Sequence, residues 1–171
     1  MTDPILAFYR GSPDTRGRTL DEILAWDDER LEDVHDYIQW LFPTTRRSDF
    51  NPFAPVLTEG TIAAFRADAS LRARLRASLE RMLRFYGFER VELRGQPVVR
   101  RAANWPLRSP QWLGSGDHNH LRITRILDSL STLGLEEEAK AFYRELDQLQ
   151  EDGAGRDIDR ETFDYWRDAV R

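Results

Sequence analysis

HNHLRITRILDSLSTLGL, residues 118–135, repeats its apolar side chains every three or four positions. At 100° per residue, Ile123, Ile126, Leu130 and Leu133 fall within about 40° of Asn119. That is one face of an amphipathic helix, with Asp117 placed to cap its start and Gly134 to end it. The asparagine in the middle of the apolar face is the unusual feature. Buried, it must satisfy two donors and an acceptor oxygen or cost about 1–3 kcal/mol. His118, Arg122 and Arg125 lie along one margin of the same helix, and His120 points toward the other.

The same period recurs on both sides. LEEEAKAFYRELDQLQ (135–150) places Leu135, Ala139, Phe142, Leu146 and Leu149 inward, and after a linker Asp159 starts a last helix carrying Phe163, Trp166 and Val170. Upstream, Ser70 is positioned to cap a helix in which Leu71, Leu75, Leu79, Met82 and Tyr86 recur, closed by Gly87. Thr58 begins a short helix through Phe65. Thr19 and Glu22 have capping-box spacing for another, ending near Trp26. From Asp27 or Asp28 a longer helix is expected to run to about Phe42, stopped by Pro43. On its wheel Leu31, Val34, Ile38, Leu41 and Phe42 share the core face, with His35 on the apolar side and Gln39 at its margin. Glu29, Glu32, Asp33 and Asp36 form an acidic outer face, where Trp40 also falls, either exposed or covered by residues 1–15 or 43–57. Residues 43–57 read as a Pro-rich loop. VEL (91–93) and PVV (97–99) can pair across Arg94-Gly95-Gln96 as a small hairpin, and 100–116 reads as loop. The fold class is all-α: one globular domain over 1–171 with about six or seven helices, the last of them (about 159–170) either docked on the same core or appended to it.

A chain of 171 residues can bury about 70% of the surface that its unfolded form exposes, enough for a core without staples. Hydrophobic residues make up 40% and cysteine is absent, which removes disulfides, thiolate metal sites and a cysteine nucleophile together. No apolar run approaches the length of a transmembrane segment, and the start lacks a signal-peptide pattern, so a cytoplasmic protein is expected. A net charge of −5 argues against a nucleic-acid partner.

Three stretches carry a resemblance that covers nearly the whole chain: LEDVHDYIQWLFP (31–43), followed by Ser48, Asn51 and Ala54-Pro55; MLRFYGFE (82–89); and the 118–135 helix with Asn104 before it. FYRGSPD (8–14) adds to it. In order and spacing they resemble the conserved domain of the opioid growth factor receptor family, in a short arginine-rich form like that of a microbial member. The resemblance implies a helical domain, and in animal members a receptor for an enkephalin-type peptide linked with growth control.

The candidate site is His35, Gln39, Asn104, His118, Asn119, Arg122 and Arg125. In one reading the arginines bind a carboxylate or phosphate of a peptide or small anionic ligand, helped by the helix N-terminus, while Asn119 and His118 orient it. In another the same groups form a buried hydrogen-bond network that sets helix register. A third reading is an enzyme with His35 or His118 as general base and Arg122 and Arg125 as anion stabilisers. His118 and His120, two apart, diverge on a helix and make a poor chelate. No P-loop, GxGxxG or G-x-S-x-G motif appears. No catalytic residue, metal or cofactor is assigned, and the oligomeric state is left open.

Overall fold

Short polar caps start five of the helices in the computed structural model, which describes residues 3–171. Asp3 accepts the first amides of α1 (Pro4–Tyr9), Thr19 those of α2 (Leu20–Leu24), Asp27 those of α3 (Asp28–Asp33) and Thr58 those of α5 (Glu59–Ala67). Between the last two lies α4 (Ile38–Leu41). The long α6 (Ala69–Tyr86) is capped by Asp68, which accepts from both the backbone and the hydroxyl of Ser70. The expected cap, Ser70, is thus the donor. A hairpin of β1 (Phe88–Leu93) and β2 (Gln96–Arg101) follows, then α7 (Trp105–Arg108), α8 (Asn119–Thr132), α9 (Glu136–Glu151) and α10 (Arg160–Ala169). Among the described residues there are ten α-helices, more than the six or seven expected. None is long and apolar enough to cross a membrane.

The excess comes from places where pattern reading ran elements together or missed them. The helix expected from Asp27 to Phe42 breaks at Val34, whose backbone is extended (φ −90°, ψ 132°). Carbonyls released there find side-chain donors: the Tyr37 hydroxyl donates to Leu31 O at 2.7 Å, and an Arg18 Nη2 reaches Asp36 O at 3.4 Å. The break shifts the helical phase. His35 therefore turns outward and is exposed, against the expectation of an apolar-side histidine, while Gln39 and Trp40 turn inward. Trp40 is covered by α1, its ring 5.3 Å from that of Phe8. Asp36 leaves the acidic outer face to pair with arginines.

Segment 102–113, expected as loop, contains α7 and a 3-10 turn at Ser109–Gln111. Its side chains at 104, 108 and 112 satisfy the last carbonyls of α6. Asn104 Nδ2 donates to Arg84 O (2.9 Å), Arg108 Nε to Phe85 O (2.7 Å) and Trp112 Nε1 to Tyr86 O (2.9 Å). Gly87, at φ 98°, turns the chain out of that helix. The hairpin has a two-residue turn, Arg94-Gly95, both at positive φ, so Gln96 belongs to the ladder opposite Leu93.

The described chain divides into two compact units, one ending at Ser78 and one beginning at Leu79, with α6 contributing to both. In the first, Phe8, Tyr9, Leu31, Tyr37, Trp40, Phe65 and Leu75 are buried. In the second, α8 packs against α9 and α10, and β2 against α9. The apolar face read from the sequence, Ile123, Ile126, Leu130 and Leu133, is fully buried there, as are Phe142 and Trp166.

Candidate functional site

The first unit carries an open depression of about 750 Å³ lined by Arg16, Arg18, Arg30, Val34, His35 and Asp36. It is built from the bottom by Asp14, whose side chain has no exposure. One Asp14 oxygen accepts the backbone amides of Arg16 (2.9 Å) and Arg18 (3.0 Å); the other accepts Arg18 Nε at 2.9 Å and lies 2.8 Å from Arg18 Nη2. A carboxylate thus folds the 14–18 turn and aims the guanidinium in one step. The outer edge of Arg18 meets Asp36 at 2.8 Å, and Asp36 also pairs with Arg16 at 2.6 Å. Burial alone would lower the Arg18 guanidinium, but the Asp36 and Asp14 carboxylates outweigh it and hold it above its ordinary range.

Arg30 also lines the depression. Its guanidinium lies over the Trp26 ring, 4.4 Å from the centroid, and that ring stands edge-on to buried Tyr37 at 5.5 Å. Arg30 makes no ion pair among the described residues. The depression therefore presents stacked, pre-oriented guanidinium groups over one shared carboxylate, which is chemistry for a carboxylate or phosphate.

Of the residues singled out in the sequence, His35 lines this depression. Gln39 is buried; its Nε2 lies 3.5 Å from Ser48 Oγ, and its Oε1 has no partner among the described residues. The other five belong to the second unit. There Asn119, with no exposure, accepts through its side-chain oxygen from the Tyr86 hydroxyl (3.2 Å) and from Arg122 Nη1 (3.4 Å), and its backbone N–H donates to Asp117 Oδ1 at 2.8 Å. The juxtaposition of Asn119 and Arg122 inferred from their spacing is present. His118 is exposed, 3.9 Å from Asp117. Burial holds the Arg125 guanidinium below its ordinary range, opposed by Asp128. Asn104 caps α6 through its nitrogen. His120, read only as a marginal histidine, is buried between Trp112 and Trp166, its Nε2 2.7 Å from Trp112 O.

Sequence reasoning missed Arg16, Arg18, Arg30 and Trp26. The arginines of RGSPDTRGR read as loop polarity, because the pairing of Arg18 with Asp36 spans 18 positions. The spacing of Trp26 and Arg30, four apart, was the available signal.

The fold and this site define a mostly helical protein with a small two-stranded hairpin and a basic surface depression. The chain belongs to the opioid growth factor receptor (OGFr) conserved region family, whose model matches residues 6–171. It is 40% identical over 176 residues to the opioid growth factor receptor of Homo sapiens, covering 98% of this chain and 25% of that protein. The Rattus norvegicus receptor is 44% identical over 136 residues, covering 77% of this chain and 23% of its own. The opioid growth factor receptor-like protein 1 of Mus musculus is 41% identical over 138 residues, 77% and 28% of the two chains. The chain thus spans about a quarter of the length of these relatives. No solved structure matches it.

Proposed function

We propose that this chain is a binding module that takes the anionic group of a peptide or small ligand in the arginine-lined depression of the first unit. One observation carries the reading: Arg30 is laid on the Trp26 indole with no carboxylate paired to it among the described residues, so a planar donor fork is held in place with its hydrogen bonds to those residues unspent. The relatives' printed name, a receptor for an opioid growth factor, supports a peptide as the ligand. His35 sits beside the arginines as an additional donor.

For the second unit we read Asn119 and Arg122 as a structural network, supported by the Tyr86–Asn119–Arg122 bonds. We also take 1–171 as one domain, because a single family model spans 6–171. The absence of cysteine supports a reducing, cytoplasmic setting.

Calorimetric titration with an enkephalin-type peptide tests the site. Arg30→Ala is expected to weaken binding by about 1.5–3 kcal/mol, the range for a hydrogen bond to a charged group. Arg122→Ala is expected to lower the melting temperature with little change in affinity. Unchanged affinity in Arg30→Ala, or affinity lost only in Arg122→Ala, would put the site elsewhere.

A further inference from the structure

We propose that Asp36 is a built-in stand-in for the ligand's anionic group, holding Arg16 and Arg18 in the arrangement of an occupied site and yielding them to a carboxylate or phosphate that enters the depression. The inference rests on the binding role given to that depression.

Each Asp36 oxygen engages a different guanidinium, Oδ1 with Arg18 Nη1 at 2.8 Å and Oδ2 with Arg16 Nε at 2.6 Å. A carboxylate clamped between two arginines is the arrangement that a bound ligand carboxylate would show. Arg18 does not depend on Asp36 for its position, because fully buried Asp14 holds its other edge. The exchange is also inexpensive. The Arg16 side chain is 71% exposed and that of Asp36 30%, so water can solvate both once they separate. Asp36 sits in the break between α3 and α4, where the backbone is held by side chains rather than by a helical ladder. With its charge removed, the lining keeps Arg16, Arg18 and Arg30 and has no carboxylate.

Titration of the intact chain with inorganic phosphate and, separately, acetate tests this. Asp36→Asn is expected to bind the preferred anion roughly tenfold more tightly than the wild type, and the two arms distinguish phosphate from carboxylate as the group recognised. Arg30-dependent binding that is the same in wild type and Asp36→Asn would overturn the stand-in role and leave the binding reading intact. Failure of both proteins to bind either anion would overturn both. Should Asp36→Asn not fold, carbon-13 spectra of the wild type decide: the Asp36 carboxyl resonance is expected to move as the preferred anion saturates, and a static resonance would overturn the proposal.

Discussion

Asp14 shows how much one side chain can organise: it accepts two backbone amides and two guanidinium nitrogens with its carboxylate wholly out of solvent. Replacing it by alanine leaves Arg18, itself only 14% exposed, without its buried partner. Asp14→Ala is expected to destabilise the protein by about 3 kcal/mol in urea unfolding. Tyr9 offers a pH signature. It is fully buried, its hydroxyl donates to Leu41 O and lies 3.0 Å from Ser78 Oγ. Burial pushes its phenol above the ordinary value of 10.0, with the Ser78 bond and Arg74 opposing. Below pH 10 neither state ionises the phenol and its contribution is intact. Above it the unfolded chain gives up the proton first, so stability falls as pH rises. Melting curves from pH 8 to 11 should show that loss, and Tyr9→Phe should flatten it while costing about 1 kcal/mol at neutral pH. The sequence marks both residues only as part of FYRGSPD and not their chemistry, which depends on partners that folding brings to each.

At the scale of elements, the caps at Thr19, Asp27 and Thr58 and the stops at Gly87 and Gly134 were legible, since a cap is satisfied within four residues of itself. The Val34 break was not. It carries no proline or glycine, and its compensation comes from Arg18 in a distant turn. The role of 102–113 was likewise hidden: Asn104, Arg108 and Trp112 are spaced to cap α6, but their acceptors lie 20 to 26 positions back. Close approach there makes Gly87 obligatory. A Cβ at that position would stand 3.0 Å from Trp105 Cα, on a backbone with φ 98°. Gly87→Ala is expected to cost about 2 kcal/mol, read as a lower melting temperature.

In the molecule as a whole, the second unit is closed by its last helix. Trp166 of α10 has no exposure, donates to His120 O at 3.1 Å and meets the His120 ring edge-on at 5.8 Å. Trp166→Ala is expected to cost about 4 kcal/mol in equilibrium unfolding, whereas a change near zero would mean that α10 contributes little to the core. By itself the sequence determined the helical class, the apolar face of α8, the hairpin near 90–100 and membership of the family, because each is written in local periodicity or in a long run of particular residues. Only the tertiary structure decided that His35 faces solvent, that Asn104 closes a helix and that Arg16 and Arg18 converge on Asp36. Those outcomes depend on where carbonyls and carboxylates far along the chain come to rest, and a helical wheel holds no record of that.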